Sequence, residues 1–451
     1  MPFSPSALLA ILQRLQPAAA SRNLCIAFSG GLDSTVLLCA LATAAVRTHF
    51  SVRAIHIDHG LHGSSRSWND HCAYIAMQLN VPYASERVTV AQRSDEGIEA
   101  AARTARYAAF KHLLRPGEIL LTAQHADDQL ETVLLALLRG AGVNGLAAMP
   151  ACQSFGNGWH ARPLLEFSRA DLEAWGQAEN LSWLSDPSND NTRFSRNYLR
   201  HEVIPALRRR WPDAADCARR SAAHLGEAGE LLEVLAQTDL EAAAAGDCLR
   251  VAVLVQLSPA RRRNLLRYWL RRLGARAPST QKLAGLEHDM LKAQADRMPH
   301  VHWGNFEVRR HRGLLYAGAR LSEPGSLPQA LQWDWREPLV LPAGLGILRM
   351  QSMQGEGLSA GKLPTHLEVS FRSGREKLRP AGATHRRDLK KLLQEADILP
   401  WWRDRIPLLK LGRSVLAVGD LWIAAEIAAN ADEQGVRIVW EDRPGIRAVM
   451  R

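Results

Sequence analysis

Hydrophobic and polar positions change along the first 140 residues in a way that predicts alternating strands and helices. Short apolar runs at Leu24 to Phe28, Val52 to Ile57 and Ile119 to Leu121 have the length of buried strands. Runs with helical spacing lie around them, at residues 35–41, 68–79, 96–114 and 127–138. Repeated units of this kind predict an α/β fold, with a parallel sheet covered by helices and ligands bound at the carboxyl ends of the strands.

The pattern changes beyond Trp211, where long stretches rich in Ala, Leu and Arg contain few helix-breaking residues. One helix is bracketed by Ser258 as its N-cap, Pro259 at its first position and Gly274 after its end. Its apolar positions between Leu265 and Leu273 predict a stripe that faces a core. This texture predicts a mainly helical middle domain that begins near residues 213–220.

Strand-like segments return after this helix. Residues 301–303 and 306–308 flank Gly304 and Asn305, which predicts a hairpin with a two-residue turn, followed by a third strand at 314–317. The segment 321–328 contains two Pro and is expected to be a linker. We therefore predict a parallel-sheet nucleotide-binding domain at 1–215, a mainly helical, Arg-rich domain at 216–325 and a small α+β C-terminal domain at 326–451.

Composition limits the classes of protein that need to be considered. The longest apolar stretch, Val36 to Val46, is too short for a membrane span, and the N-terminus lacks the order of charges that marks a secretion signal. The 6 cysteines form no C-x-x-C pair and are too sparse for a disulfide framework. We therefore expect no membrane contact and a location in the reducing cytoplasm.

The net charge of +10 favours a nucleic-acid partner, although an Arg-rich genome would give the same balance. The C-terminal segment 372–410 is also rich in Arg and Lys. Six arginines surround the apolar stripe of the helix that starts at Pro259, with no acid in that helix to compensate them: Arg261, Arg262, Arg263, Arg267, Arg271 and Arg272. They are expected to form either a solvated face or a contact with a phosphate backbone.

Six residues between the first strand and the first helix of the sheet form a candidate phosphate site: Ser29, Gly30, Gly31, Leu32, Asp33 and Ser34. Glycines let several backbone N–H groups converge on one point, and the following helix adds the positive end of its dipole. The G-K-[ST] ending of a Walker A loop is absent. The alternative is a corner that only tightens the turn from strand to helix, and the combination of residues favours the nucleotide site.

The second strand ends in the segment His56, Ile57, Asp58, His59, Gly60, Leu61 and His62, which is rich in polar side chains. Three histidines and an aspartate could hold a metal, but their spacing matches no structural zinc pattern. Because this strand end is expected to lie beside the phosphate site, we favour a loop that packs on the nucleotide.

Two further helices carry candidate chemistry. Glu99, Arg103 and Arg106 lie on neighbouring turns of one helix, where a surface ion pair between Glu99 and Arg103 is the simpler explanation. A second group follows the strand at 119–121 and opens the next helix: His125, Asp127, Asp128 and Glu131. Acids at a helix N-terminus can merely complement the helix dipole, so neither group is decisive on its own.

Together these segments occur in the order and spacing of the tRNA(Ile)-lysidine synthases, a family of PP-loop ATP pyrophosphatases. The resemblance rests on residues 29–34, 57–60, 97–103 and 125–132, and it continues at 162–165, 186–189, Arg196, Asn197 and Arg200. A second resemblance, to the C-terminal domain of the longer bacterial members, rests on residues 371–380, 389–393, 398–401 and 406–408. Arg375 departs from this family, which more often has a second glycine there, and adds positive charge. We expect the domain at 216–325 to contact tRNA and the basic domain at 326–451 to bind it.

The resemblance implies ATP as a substrate with Mg²⁺, and free L-lysine and a minor isoleucine tRNA with a CAU anticodon as partners. The loop at 29–34 would hold the β- and γ-phosphates, with Asp33 associated with Mg²⁺, and residues 57–59 would contact the nucleotide. Arg103 is assigned to the nucleotide or the reacting base, and Arg196 to a loop that orders over the bound ligands.

The implied reaction joins lysine to C2 of the wobble cytidine through an adenylated cytidine, with release of pyrophosphate and AMP. The lysine ammonium must be held and deprotonated before it attacks. Asp128 and Glu131 lie three residues apart and share a helix face, so we predict that they bind the ammonium. His125 and Asp127 are predicted to support them, and a homodimer is one candidate assembly.

Two other functions remain open at this stage. A PP-loop tRNA thiolation enzyme would use the same adenylation with a sulfur donor, although the versions that carry an iron–sulfur cluster need paired cysteines that are absent here. A nucleotide-gated RNA-binding protein without chemistry would not require Asp33, Arg103, Asp128 and Glu131 together.

Overall fold

The computed structural model describes residues 2–15, 22–45, 48, 50–60, 65–89, 98–294, 297–323 and 326–445. The chain forms two compact units, Met1–Leu232 and Glu233–Arg451. The predicted domain boundaries near 215 and 325 stay predictions.

The first unit is built on one sheet with helices around it. Its strands are β1 (Asn23–Ala27), β2 (Ser51–Asp58), β3 (Tyr83–Arg87), β4 (Ile119–Leu121), β5 (Cys152–Phe155) and β6 (Gly158–Ala161). Its helices are α1 (Pro5–Leu15), α2 (Leu32–Ala45), α3 (Ser65–Gln78), α4 (Ile98–Leu113), α5 (Ala126–Leu138), α6 (Val143–Leu146), α7 (Arg169–Ala178), α8 (Ser195–Tyr198) and α9 (Ile204–Arg210). A π-helical turn, Leu199–Val203, joins α8 to α9, and α10 (Ala214–Ala243) follows.

The sheet has the strand order β3-β2-β1-β4-β6-β5 and is parallel except for β5, which pairs antiparallel with β6. This confirms the predicted α/β class and the three predicted strands. The strands β3, β5 and β6 were not predicted, because these short segments are mostly half-exposed or exposed and lack a continuous apolar run. The helix α2 is buried along most of its length, which explains its all-round apolar sequence.

The second unit contains most of the strands of the chain. They are β7 (Ala244–Ala245), β8 (Cys248–Arg250), β9 (His300–Trp303), β10 (Phe306–His311), β11 (Leu314–Ala319), β12 (Ala330–Asp334), β13 (Leu339–Val340), β14 (Ile347–Gln354), β15 (Leu358–Ser359), β16 (His366–Ser370), β17 (Lys377–Leu378), β18 (Arg387–Asp388), β19 (Leu408–Leu411), β20 (Ser414–Val418), β21 (Trp422–Ile423) and β22 (Gln434–Glu441). Its remaining helices are α11 (Val251–Gln256), α12 (Pro259–Arg272), α13 (Thr280–Lys292) and α14 (Leu389–Glu395).

The end of α10 from Glu233 onward belongs to the second unit, where it packs with α11 to α13 beside a five-stranded sheet, β7-β8-β11-β10-β9. Antiparallel sheets make up most of the rest of the unit. The predicted hairpin is confirmed, because Phe306 pairs with Trp303 across a two-residue turn. The predicted limits of α12 are confirmed as well: the Ser258 hydroxyl accepts from the Arg261 N–H, and Gly274 has a φ of +79° just after the helix.

The expectation that the arginines of α12 lack compensating acids is wrong. Asp239 on α10 pairs with Arg261, and Glu287 on α13 lies 3.0 Å from Arg262 and 3.5 Å from Arg263. The acids come from neighbouring helices, so the sequence of α12 alone could not reveal them. Much of this arginine face therefore holds helices together and is not free for phosphates.

None of the helices in the described part of the chain is long and apolar enough to cross a membrane.

Candidate active site

The candidate site lies where the order of the sheet reverses. The chain passes from β1 through α2 to β2 on one side, whereas β4 pairs with β1 on the other side. Ligands of open α/β sheets bind at such a reversal, outside the carboxyl ends of the strands. The loop after β1 and the acidic segment after β4 therefore meet at one edge of the sheet.

The loop at 29–34 contains a glycine, Gly30, that no other residue replaces easily. Gly30 has a φ of +81°, and a Cβ there would lie 2.8 Å from Cys72 Sγ and 3.0 Å from Leu184 Cδ1. The Ser34 hydroxyl donates to the Gly31 carbonyl and accepts from the Ser29 N–H. These contacts shape the strand-to-helix turn and leave the Ser29 side chain exposed.

Asp33 links the loop to the acidic segment. Its Oδ2 lies 3.7 Å from His125 Nε2 and 3.9 Å from Arg169 Nη1. Burial raises the pKa of Asp33, and the charges of His125 and Arg169 oppose this. The other carboxylate oxygen, Oδ1, is buried and has no hydrogen-bond partner among the residues that the structure describes. Such an oxygen is suited to a cation.

His125 and Asp128 form the N-terminus of α5 together. His125 is the N-cap, and its backbone N–H donates to Asp128 Oδ2 at 3.1 Å. The imidazole Nε2 lies 3.4 Å from the same Oδ2, and Nδ1 lies 3.5 Å from Asp127 Oδ2. Asp127 also accepts from the Arg169 N–H at 2.8 Å and pairs with Arg208. Asp127 thus connects α5 to α7 and α9.

Asp128 and Glu131 already carry arginine partners. Arg196 Nε and Arg200 Nε each lie 2.6 Å from one carboxylate oxygen of Glu131, whose side chain is only 1% exposed. Asp128 Oδ1 lies 3.3 Å from Arg196 and 3.1 Å from Arg200. Burial alone would raise the pKa of Asp128, but His125 and the two arginines outweigh it and the pKa is lowered. Both carboxylates are therefore poised to hold positive charge.

The residues after β2 lie at the same end of the sheet. Ile57 is buried, and Asp58 Oδ1 accepts from the Gly60 N–H at 2.8 Å. Arg106 Nε donates to His59 Nε2 at 3.1 Å. Burial and then the charge of Arg106 lower the pKa of His59 to about 4, so the ring is neutral. His62 lies outside the described residues.

Arg103 lies on α4, with its guanidinium 4.9 Å from the centre of the Tyr107 ring. In the described part of the chain, Arg103 makes no ion pair with Asp33 or with the acids of α5. Gly97 and the side chain of Glu99 lie outside that part, so the ion pair between Glu99 and Arg103 stays a prediction.

Three arginines that contact the acids were not assigned roles from the sequence: Arg169, Arg200 and Arg208. Arg200 follows Arg196 by one helical turn, which is a signal that could have paired them. Arg169 and Arg208 approach from α7 and α9, and no local pattern marks such contacts. In the described ranges, no group of three or more His, Cys, Asp or Glu residues has the geometry of a metal site.

The fold and this loop define a PP-loop nucleotide-binding domain, and residues 6–207 match the family model of that name, PP-loop domain. Residues 249–316 match the TilS substrate binding domain, and residues 367–440 match the TilS substrate C-terminal domain. The chain belongs to the tRNA(Ile)-lysidine synthase family.

Several relatives named tRNA(Ile)-lysidine synthase support this assignment over nearly the whole length. The protein of Coxiella burnetii is 42% identical, with 96% of this chain and 96% of the relative covered. The protein of Alkalilimnicola ehrlichii is 43% identical, with 98% of this chain and 97% of the relative covered. The protein of Pseudomonas putida is 45% identical, with 88% of this chain and 92% of the relative covered.

Proposed function

We propose that this chain carries out the reaction for which its family is named: ATP-dependent formation of lysidine at the wobble cytidine of a minor isoleucine tRNA with a CAU anticodon. The observation that carries the proposal is the meeting of the loop and the acidic segment. His125 Nε2 lies 3.7 Å from Asp33 and 3.4 Å from Asp128, so the His125 side chain lies between the phosphate loop and the candidate lysine site.

The chemistry requires an activated leaving group. The C2 oxygen of cytosine leaves poorly, so it attacks the α-phosphorus of ATP, and the bond to the β-phosphate oxygen breaks to release pyrophosphate. The lysine amine then adds to C2, the C2–O bond breaks, AMP leaves with its electron pair, and a base takes the ammonium proton. Positioning and electrostatics are sufficient for these steps, so no protein nucleophile is needed.

Backbone amides of residues 29–34 and the N-terminus of α2 are suited to hold the β- and γ-phosphates. Ile57, Asp58 and His59 lie at the end of β2, on the other side of β1 from the acidic segment, where the rest of the nucleotide is expected. Arg103 is proposed to act on the nucleotide or the reacting base. Its exposed guanidinium on α4 is compatible with either role.

Asp33 fits the proposed Mg²⁺. Its buried Oδ1 lacks a hydrogen-bond partner within the described residues, and carboxylate oxygen is a ligand that Mg²⁺ prefers. When bound, Mg²⁺ offsets negative charge on the phosphates. A single protein carboxylate is compatible with this ion, since Mg²⁺ is often held by one or two carboxylates together with substrate phosphates and water.

Asp128 and Glu131 are proposed to bind the lysine ammonium. Both face Arg196 and Arg200, so the incoming cation would take over oxygens that the guanidinium groups now hold. The contact of Arg196 with Asp128 is 3.3 Å, longer than its 2.6 Å contact with Glu131, so Asp128 is the easier of the two to release. Asp127 supports the helix through Arg169 and Arg208, which favours Asp128 over Asp127 as the acid nearer to lysine.

Measuring adenylation and lysine incorporation separately tests the roles proposed for Asp33 and Asp128. Asp33→Asn is expected to abolish tRNA-dependent exchange of labelled pyrophosphate into ATP, because the triphosphate is no longer held with its cation. Asp128→Asn is expected to keep this exchange within about threefold of the wild type but to lower lysine incorporation by roughly 100-fold or more, since a hydrogen bond to a charged group is lost.

Asp216→Asn is the matched control, because Asp216 is exposed on α10 and its ion pairs within the described residues are with arginines of the same helix. It should leave both half-reactions unchanged. Equal loss of exchange and incorporation in Asp128→Asn would contradict the assignment of this carboxylate to lysine.

A further inference from the structure

A chain of hydrogen bonds runs through the first unit from Arg162 to Gln124. Arg162 Nη2 lies 3.2 Å from His160 Nδ1, and His160 Nε2 lies 2.7 Å from the Thr122 hydroxyl. That hydroxyl is bonded in turn to Gln124 Oε1. The first three of these side chains are buried, whereas Gln124 is half-buried.

The chemistry of the four groups allows this chain only one direction. A guanidinium has donors and no acceptor, so Arg162 donates to His160 Nδ1, which must carry no hydrogen. Burial and then the charge of Arg162 lower the pKa of His160 to about 3, so the ring is neutral and its one N–H is at Nε2. His160 therefore donates to Thr122, and the Thr122 hydroxyl donates its own hydrogen to the Gln124 carbonyl oxygen.

This direction decides what Gln124 can offer to a ligand. Its carbonyl oxygen points toward Thr122 and accepts from it, so the end of the side chain that is turned away from Thr122 is the Nε2 amide, which can only donate. An unrestrained glutamine could turn its amide over and present either end. Here the buried histidine disfavours this, because a reversed amide would take away the acceptor of the buried Thr122 O–H, and an unsatisfied buried donor costs free energy.

Gln124 adjoins a residue of the candidate active site in the chain. It lies between β4 and α5, directly before His125, whose Nε2 is 3.7 Å from Asp33. The centre of the same His160 ring lies 5.6 Å from the centre of the Tyr107 ring. The Arg103 guanidinium lies over the Tyr107 ring, 4.9 Å from its centre. One buried imidazole thus supports two polar groups at this edge of the sheet, Gln124 and Arg103.

We propose that Gln124 is a specificity-determining residue that donates a hydrogen bond from its Nε2 amide to a ring-nitrogen acceptor of a nucleobase in the active site. The inference rests on the proposed function, which brings two such bases together: cytosine, with N3 as acceptor, and adenine, with N1 as acceptor. Uracil N3 and guanine N1 carry hydrogens instead, so these ring nitrogens cannot accept from a fixed donor at the same position. Thr122 and His160 are positioning residues that hold the amide in this orientation.

Gln124→Glu tests the proposal most directly, because glutamate keeps an oxygen for Thr122 and replaces only the donor. KM for ATP and KM for the tRNA are measured in lysidine formation. One of the two is expected to rise roughly 10- to 100-fold, while the other stays within about twofold. A rise for the tRNA identifies the cytosine as the base that is read, and a rise for ATP identifies the adenine. Both KM values within about twofold of the wild type would overturn the proposal.

Two comparisons keep this result specific. Gln177→Glu, at an exposed position on α7, makes the same chemical change away from the chain of hydrogen bonds and should leave both KM values unchanged. Thr122→Ser keeps the hydroxyl and should behave like the wild type, whereas Thr122→Val should raise the same KM that Gln124→Glu raises. A wild-type KM in Thr122→Val would overturn the positioning role. Failure of the proposed function is distinguishable, because the wild-type chain itself would then form no lysidine.

Discussion

At the scale of single residues, backbone conformation and hydrogen-bond direction decide what the site can do. Gly30 adopts a positive φ beside Cys72, which is buried, and Leu184, which is half-buried, and these side chains leave no room for a Cβ. His160 is fully buried and neutral, and it orients the Gln124 side chain through its hydrogen bond to Thr122. The sequence predicted the first feature, since a glycine between strand and helix signals such a turn. It could not predict the second, because Arg162, His160 and Thr122 meet only through the pairing of β4 with β6.

Gly30→Ala should destabilise the first unit and weaken ATP binding together. The added Cβ would sit 2.8 Å from Cys72 Sγ, and the residue would keep a left-handed conformation. We expect the free energy of unfolding in urea to fall by about 1–3 kcal/mol. ATP affinity, measured by equilibrium dialysis, should fall at least tenfold.

Gly226→Ala is the control for that change, because Gly226 lies inside α10 with no atom within 4 Å of an added Cβ. It should be neutral or raise the free energy of unfolding by up to about 1 kcal/mol. Unchanged ATP affinity in Gly30→Ala would show that ATP binding does not need the left-handed glycine conformation in this loop.

At the scale of elements, the N-terminus of α5 and the turn Leu199–Val203 depend on each other. Glu131 is almost fully buried, and its two guanidinium partners come from α8 and the π-helical turn. The sequence predicted β4 to the residue and α5 to within one residue, because local apolar spacing determines both. It did not predict these ion pairs, because they join segments that lie about 65 residues apart.

Arg200→Met should lower the free energy of unfolding by roughly 3–5 kcal/mol, because it removes one partner from two buried carboxylates. Adding Glu131→Gln to this variant should recover about 1 kcal/mol or more, since the unpaired negative charge disappears. Urea titration of the two single variants and the double variant measures this coupling.

Arg209→Met serves as the reference for side-chain size, since Arg209 is exposed on α9. It should change the free energy of unfolding by less than about 0.5 kcal/mol. Additive effects of Arg200→Met and Glu131→Gln would contradict a direct interaction between the two side chains.

At the scale of the whole molecule, the net charge of +10 is compatible with a tRNA substrate, but its distribution refines the expectation. Arg261, Arg262 and Arg263 are paired with acids of neighbouring helices, whereas Arg267 on the same helix is exposed. Charge counted along one helix therefore overstated the surface available to phosphates. The homodimer and the cytoplasmic location expected from the sequence stay predictions.

The most direct test of the central claim is to incubate the full chain with ATP, Mg²⁺, isotope-labelled lysine and a minor isoleucine tRNA transcript, and then to digest the RNA to nucleosides. We expect the label in one modified cytidine at the wobble position, in step with the AMP formed, and no label when that cytidine is replaced by uridine. AMP formation without label in the nucleosides, or label that persists in the uridine transcript, would contradict the account.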